Sequence, residues 1–293
     1  MTTTLFPTEP VALDQLEVFA AGLDHSEGIT VSPAGKIYVG GEAGQIYRID
    51  DDKPVEIANT KGFLLGLASD AHGRIYVIDS THRKVWRYDE STGDLETFST
   101  GIPGIGFKVP NWGAFDALGN YFLTDSGNWM DNEGLIYVVR PGGRVELWTD
   151  EVTAFPNGCC VSPDGSTLYV VESVPGAIVE VPISKSGGAG TRRVLCELGM
   201  AVPDGVAVAS DGSLIVACYR PDVIYRWHPS DGLSILAADP RGTILSAPTN
   251  AVFTGPNLEI LVVPNLGRWN LTRGNLGITG MPLHYPDRAA IGS

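Results

Sequence analysis

Hydrophobic and polar residues alternate in short runs along almost the whole chain, and tight polar turns join these runs in pairs. One pattern recurs six times: an apolar alternating run, a turn containing glycine, a second apolar run, a loop and a third run. The turn residues are Gly35, Gly73, Gly119, Gly165, Gly212 and Asn257, at intervals of 38 to 47 residues. Asp-Gly, Gly-Asn and Ala-Gly pairs between β-rich runs predict hairpins, because such turns need positive φ angles.

Between successive copies there is room for one further strand, for example at 55–57 and 145–148. Four short antiparallel strands about every 45 residues, with no helical periodicity, are typical of a β-propeller blade. The sequence therefore predicts an all-β fold, a six-bladed propeller with four antiparallel strands per blade. Segment 16–19 is predicted to supply the outer strand of the last blade, which closes the ring without free edges. A β-sandwich is the alternative, but its strands would not repeat at a constant period.

The prediction for domain organisation is one propeller spanning 1–293, with 1–14 as an extended N-terminal segment. Composition agrees with a globular chain, since 43% of residues are hydrophobic and 18% are charged. The net charge of −14 argues against nucleic acid and anionic membranes as partners. The apolar runs are strand-sized, and the first residues do not resemble a signal peptide, so we expect a cytoplasmic protein. Oligomeric state stays open between monomer and dimer.

The four cysteines, at 159, 160, 196 and 218, lie in apolar strand-like contexts without a Cys-x-x-Cys motif. We interpret them as reduced core thiols, as expected in a cytoplasmic protein.

The first strand of each propeller blade faces the central channel, so equivalent positions in the six copies should form a ring. The positions eight residues before each turn residue are Glu27, Leu65, Asn111, Asn157, Asp204 and Thr249. Four of them carry oxygen ligands, although Asp and Asn are depleted in strands. Single residues of this kind often cap strands or make turns, but four in register favour a site for one divalent cation. Calcium is favoured because it accepts carboxylate and amide oxygens, with zinc, iron, manganese or magnesium as alternatives.

Several segments of the chain resemble a known family. They are HSEGI (25–29), PNWGAFDALGNYFLTDSG (110–127), PNGCCVSPDG (156–165), PDGVAVASDG (203–212) and RWNLTRGNLGITGMPLHYP (268–286). From about residue 16 to 285 the chain resembles the regucalcin and gluconolactonase family of six-bladed propellers, which includes senescence-marker-protein-like and LRE-like members. The resemblance implies a metal-dependent lactonase, with diisopropylfluorophosphatase and paraoxonase as more distant relatives. It also implies metal ligands at Glu27, Asn111, Asn157 and Asp204, the residues that the repeat selects.

Around the first ligand asparagine the chain departs from that family. Sugar-lactone members commonly carry Arg-x-Asn-Asp-Gly, whereas Val109 and Trp112 replace the Arg and the Asp here. We therefore expect either a sugar lactone or a more apolar or stacked lactone, and the candidate substrate-binding residues are Trp112, Trp129 and His25. Asp125, at the end of a second strand, either orients Asn111 or forms hydrogen bonds within its own blade.

The predicted chemistry is hydrolysis of a cyclic ester. A divalent cation can polarise the lactone carbonyl, and the resemblance assigns Asp204 as the general base, although attack by the carboxylate itself stays open. The alternatives are a phosphotriesterase-like hydrolase on the same metal site and a non-catalytic interaction propeller. The ring of oxygen ligands disfavours the last of these, because an interaction propeller has no need of it.

Overall fold

Each of the six repeats folds into one antiparallel sheet of four strands in the computed structural model, which describes residues 6–287. The six-bladed propeller predicted from the sequence is confirmed. Blade 1 consists of β2 (Ile29–Val31), β3 (Ile37–Gly40), β4 (Gln45–Asp50) and β5 (Lys53–Asn59). Blade 2 consists of β6 (Leu64–Ser69), β7 (Ile75–Asp79), β8 (Lys84–Asp89) and β9 (Asp94–Ser99). Blade 3 consists of β10 (Pro110–Phe115), β11 (Tyr121–Asp125), β12 (Leu135–Val139) and β13 (Val145–Thr149).

The remaining blades follow the same order of strands. Blade 4 consists of β14 (Pro156–Val161), β15 (Thr167–Ser173), β16 (Gly176–Pro182) and β17 (Arg193–Gly199). Blade 5 consists of β18 (Val202–Val208), β19 (Leu214–Arg220), β20 (Val223–His228) and β21 (Gly232–Ala238). Blade 6 consists of β22 (Val252–Thr254), β23 (Ile260–Asn265), β24 (Asn270–Gly274) and β1 (Glu17–Phe19).

The last blade is built from both ends of the described chain. β1 pairs antiparallel with β24, so that Glu17 faces Arg273 and Phe19 faces Leu271. The predicted pairing of segment 16–19 with the last blade is thereby confirmed, and the outer edge of β24 is covered. The Arg273 guanidinium lies 4.4 Å from the centre of the Phe19 ring and also pairs with the carboxylates of Glu17 and Asp52. A cation–π contact and two ion pairs thus stabilise the closure.

Two features define the ends of the channel. The first and second strands of each blade meet in the hairpins that contain the repeated turn residues, and the five turn glycines there adopt φ angles between 72° and 85°. We call this end the base face. The opposite end carries the starts of the first strands and the tips of the hairpins between second and third strands, and we call it the mouth face. Hydrophobic side chains fill the spaces between adjacent blades, as in the cluster that joins Phe122 and Trp148 to Leu168 and Val179.

After blade 6, residues 279–287 cross the base face, and we call this segment the strap. Its hydrogen bonds reach five different blades: Gly280 N to Leu258 O at 2.8 Å, Met281 N to Val208 O at 3.1 Å, His284 Nε2 to Ser162 O at 2.8 Å, Tyr285 Oη to Val31 O at 2.8 Å, and Ala71 N to Pro286 O at 2.9 Å. The strap therefore covers the base end of the channel.

The only helical element within residues 6–287 is the 3₁₀ turn Leu13–Gln15. It overlaps the end of the predicted extended segment 1–14, of which residues 1–5 lie outside the described residues. No helix in the described part of the chain is long and apolar enough to cross a membrane. The four cysteines form no disulfide, and all but the partly buried Cys160 are buried.

Candidate metal centre

The six ring positions predicted from the repeat lie near the starts of the first strands, at the mouth face. All six side chains, those of Glu27, Leu65, Asn111, Asn157, Asp204 and Thr249, are at most 9% exposed. Contacts between blades join them: the Thr249 hydroxyl donates to the backbone oxygen of Glu27 at 2.9 Å. The structure thus gathers two carboxylates and two amides in one buried ring, with an apolar residue and a threonine at the other two positions.

A serine in the same blade fixes the orientation of each ring asparagine. Asn111 Nδ2 donates to Ser126 Oγ at 2.9 Å, and that hydroxyl donates to the Pro156 carbonyl of the next blade at 2.7 Å. In blade 4, Asn157 Nδ2 donates to Ser173 Oγ at 3.4 Å, and Ser173 donates in turn to Pro203 O at 2.7 Å. Because each hydroxyl gives its proton to a carbonyl, it can only accept from the amide. The amide nitrogens are held in this way, and the amide oxygens are left free.

Within residues 6–287, those free oxygens have no hydrogen-bond donor. Asn111 Oδ1, Asn157 Oδ1 and Asp204 Oδ1 are buried and form no hydrogen bond with any group in residues 6–287. A buried acceptor without a partner costs about 1–3 kcal/mol, so three of them in one ring call for a donor or a cation. Carboxylate and amide oxygens are the ligands that calcium takes in proteins. The donor set therefore fits a hard divalent cation.

The two ring carboxyls have strongly perturbed titration behaviour. Burial, followed by the charge of Glu42, raises the pKa of Glu27 to about 8. Burial, followed by the charge of Glu27, raises the pKa of Asp204 well above its ordinary value, although the Asn157 side chain opposes this shift. Two buried carboxylates without a counter-charge repel each other, and a cation between them would favour the ionised form of both.

Close approach of neighbouring first strands requires glycine beside the ring. A Cβ on Gly158, next to Asn157, would lie 2.4 Å from Asp204 O and 2.6 Å from Gly205 Cα. A Cβ on Gly28, next to Glu27, would lie 1.8 Å from Leu65 O. These glycines bring the backbones of adjacent blades together and so set the spacing of the ring.

Asp125, at the end of the second strand of blade 3, holds the backbone that precedes the ring residue Asn111. Asp125 accepts hydrogen bonds from the backbone N–H groups of Lys108 and Val109, both at 2.6 Å. The hydrogen bonds of Asp125 thus go to the loop before Asn111, and it is Ser126 that contacts the Asn111 side-chain amide. Sequence reasoning missed Ser126 and Ser173, and the available signal was that both follow an acidic residue at the end of a second strand.

Two of the three predicted substrate-binding residues lie on the rim of the mouth face. His25 Nδ1 lies 2.9 Å from Glu42 Oε2 and 3.3 Å from Asp24 Oδ1, and its ring contacts that of Trp269 at 4.7 Å. Trp129, in the loop between β11 and β12, is half exposed, and its ring packs edge-on against Phe155 at 4.7 Å.

Trp112, the third predicted residue, lies inside the molecule. It is 5% exposed and packs in the hydrophobic cluster between blades 3 and 4. It also lines a channel cavity of about 620 Å³ that extends from below the ring to the strap, where residues 281–285 line it. The Trp112 backbone N–H donates to Thr124 Oγ1 at 2.9 Å, and Thr124 donates to Asn157 O. Through Thr124, the backbone of Trp112 is thus connected to that of the ring residue Asn157 in the next blade.

A protein-family model described as "SMP-30/Gluconolactonase/LRE-like region" matches residues 90–265, more than half of the chain. Among curated proteins, regucalcin from Xenopus laevis is 24% identical over 238 residues, which cover 65% of this chain and 78% of that protein. The gluconolactonase of Zymomonas mobilis is 27% identical over 197 residues, 60% of this chain and 54% of that protein.

Solved structures agree in fold. A gluconolactonase from Xanthomonas campestris has a TM-score of 0.76 and 19% identity, and the comparison covers 95% of this chain and 97% of that one. A calcium-binding protein, regucalcin, from Agrobacterium tumefaciens has a TM-score of 0.73 and 20% identity, covering 91% and 97% of the two chains. At such identities the likeness shows the fold alone.

Proposed function

Because the chain belongs to the SMP-30/gluconolactonase/LRE-like family, we propose that it is a metal-dependent enzyme that opens lactones. The observation that carries the proposal is the set of three buried oxygens without a donor, on Asn111, Asn157 and Asp204. The names of two similar proteins agree with the two parts of the proposal, since one is a gluconolactonase and the other a calcium-binding protein.

In this proposal Glu27, Asn111, Asn157 and Asp204 hold one divalent cation, with calcium favoured by the all-oxygen donor set. When bound, the cation acts as a Lewis acid that polarises the lactone carbonyl. Held between the two carboxyls, such a cation would favour the ionised form of Asp204, which a general base requires. Ser126 and Ser173 keep the two amide oxygens aimed at the centre.

Asp204 is proposed as the general base. Asp204 accepts a proton from a water molecule as the water oxygen bonds to the lactone carbonyl carbon. It returns that proton to the ring oxygen of the lactone when the ester C–O bond breaks. The product is a hydroxy acid. General-base catalysis of this kind contributes about 10²–10⁴-fold to the rate. His25 and Trp129 are proposed to contact the substrate at the rim, while the buried Trp112 shapes the site from below.

The test compares three variants in a lactone-hydrolysis assay, with chelation and re-addition of calcium, manganese, magnesium or zinc. Asp204→Asn keeps an oxygen donor and loses the base, so we expect activity about 10²–10⁴-fold lower with metal still bound. Glu27→Gln removes one of the two balancing charges and should weaken metal binding sharply. Leu65→Met, at a ring position without an oxygen donor, should change neither. Hydrolysis that is indifferent to exhaustive chelation, or full activity in Asp204→Asn, would refute the mechanism.

A further inference from the structure

A second polar pocket opens on the mouth face, between blades 5 and 6. Its volume is about 550 Å³, and its lining includes Asp222, Arg241, Ser246, Arg268 and Trp269. The elements that build it are the β19–β20 tip, the connection from β21 to β22, and the β23–β24 tip. All three belong to the same end of the propeller as the ring.

The arginines of this pocket lack the partners that arginines elsewhere in the molecule have. Ten of the thirteen arginines within residues 6–287 pair with a carboxylate, and the exceptions are Arg83, Arg241 and Arg268. In a chain with a net charge of −14, two unpaired arginines in one pocket make a local positive field. Arg268 Nε donates to Gly242 O at 2.8 Å, which orients the guanidinium and leaves its two Nη groups without a partner in the described chain.

The floor of the pocket supplies a hydroxyl donor. A Cβ on Gly267 would lie 2.6 Å from Ser246 Oγ, so glycine at this position leaves room for the hydroxyl. One carboxylate also lies in the pocket, but its charge is already engaged: Asp222 Oδ1 accepts from Ala247 N at 2.8 Å and from Arg220 Nη1 at 3.2 Å. Beside the pocket, the buried Asp239 carboxylate accepts from the backbone N–H groups of Arg241, Thr243 and Ile244. Among the charged side chains that line the pocket, only Arg241 and Arg268 lack an ion-pair partner in the described chain.

The pocket is near enough to the ring for one small molecule to reach both. Ser246 precedes the ring residue Thr249 by three residues, so their Cα atoms are at most about 11 Å apart. On the other side, Trp269 of the pocket contacts His25, which precedes Glu27 by two residues. The carboxylates of Asp24 and Glu42 lie beside His25, so an anion at the mouth is repelled from blade 1 and attracted towards blades 5 and 6.

We propose that this pocket binds an anionic group, a carboxylate or a phosphate, carried by the lactone whose carbonyl reacts at the ring; this inference rests on the proposed function. Guanidinium groups bind carboxylate and phosphate through paired N–H donors, and the Ser246 hydroxyl adds a third donor. The substrate is then the lactone of a sugar diacid or of a sugar phosphate, and a neutral aldonolactone is the poorer substrate.

The test compares a neutral aldonolactone with two relatives of the same ring size, one bearing a carboxylate and one a phosphate in place of the terminal hydroxymethyl or hydroxyl group. The variants are Arg241→Gln, Arg241→Gln/Arg268→Gln and, as a matched control, Arg83→Gln, which removes an equally unpaired and exposed arginine from blade 2. We expect the double variant to lower the ratio of kcat/KM for the preferred anionic lactone to that for the neutral one by about tenfold to a hundredfold. Arg83→Gln should leave this ratio unchanged, and 1 M salt should lower it in the wild type.

A ratio that the double variant leaves unchanged, or an equal loss on neutral and anionic lactones, would overturn the proposal. If the wild-type protein hydrolyses none of the three lactones, the proposed function is refuted instead. Calorimetry then tests separately whether the pocket binds anions. Inorganic phosphate and an open-chain sugar diacid should bind the wild type and Arg83→Gln alike and bind the double variant at least tenfold more weakly. Equal binding to all three proteins would refute the anion pocket.

Discussion

Glu27 and Asp204 come from blades 1 and 5, yet the charge of Glu27 raises the pKa of the buried Asp204 carboxyl. Neither carboxyl forms an ion pair with a basic side chain in the described part of the chain. Because of this relationship, the metal-free protein should lose stability as pH rises, which is the reverse of the usual effect of carboxylates.

The first prediction is that the metal-free protein loses stability as pH rises from about 4.5 to about 8. In this window folded Glu27 keeps a proton that the unfolded chain has released, because burial raises its pKa from 4.5 to about 8. The folded state then binds more protons than the unfolded state, so the free energy of unfolding falls by up to about 1.4 kcal/mol per pH unit for each such group. Urea unfolding at pH 5 to 8 with chelator measures the slope, and added calcium should stabilise most at pH 8.

Glu27→Gln provides the control for this slope, since glutamine has no proton to release. Its stability in chelator should vary less with pH over the same window. A steeper fall with pH in the variant than in the wild type would contradict the assignment.

The second prediction concerns the close approach of blades 4 and 5. Gly158→Ala puts a Cβ against Asp204 O and Gly205 Cα, which must shift to relieve the overlap at a cost of about 1–3 kcal/mol. Because Asn157 and Asp204 flank this contact, metal affinity should fall together with stability. Titration with calcium and thermal unfolding measure the two effects. Gly188→Ala is the control, because its Cβ meets only the Ser184 hydroxyl at 3.3 Å; an equal loss in both variants would argue against a specific effect on the ring.

The third prediction separates the two tryptophans near the site. Trp112→Ala removes a buried side chain from the cluster between blades 3 and 4 and should lower the free energy of unfolding by about 3–5 kcal/mol. Trp129→Ala changes a half-exposed residue and should alter the free energy of unfolding by no more than about 0.5 kcal/mol. Its effect should be on the KM for lactones instead. Chemical denaturation and steady-state kinetics on both variants test the assignment, and the opposite pattern would place the substrate on the Trp112 side of the ring.

The architecture was predictable because hairpin glycines and alternating strands recur at a nearly constant interval, which a propeller requires. The same interval selected Glu27 and Asp204, which the structure places within each other's electrostatic influence. It could not reveal on which side of a strand a neighbouring side chain lies. Trp112 follows Asn111 directly, and a shift in the β10–β11 register between Pro110 and Trp112 accompanies the turn of its indole into the channel cavity.

The serine partners of the asparagines were not predicted from the sequence, where their position after an acidic residue was the only signal. Ser126 and Ser173 are ordinary residues at the ends of strands, and their role depends on a carbonyl in the following blade. The arginine pocket depends in the same way on two hairpin tips and the β21–β22 connection, which only the folded ring brings together. These features depend on contacts between blades, which the pattern within a single repeat does not specify.

The pairing of β1 with β24 also has a consequence for biosynthesis. On the ribosome, β1 must wait for β24, so blade 6 can close only after the other five blades have been synthesised. Until then the edges of the open arc of blades stay exposed to unwanted pairing with other chains. Contacts so distant in sequence also slow folding, because the loop they close is entropically costly. The closure that stabilises the mature ring thus prolongs the time during which the nascent chain exposes unpaired strand edges.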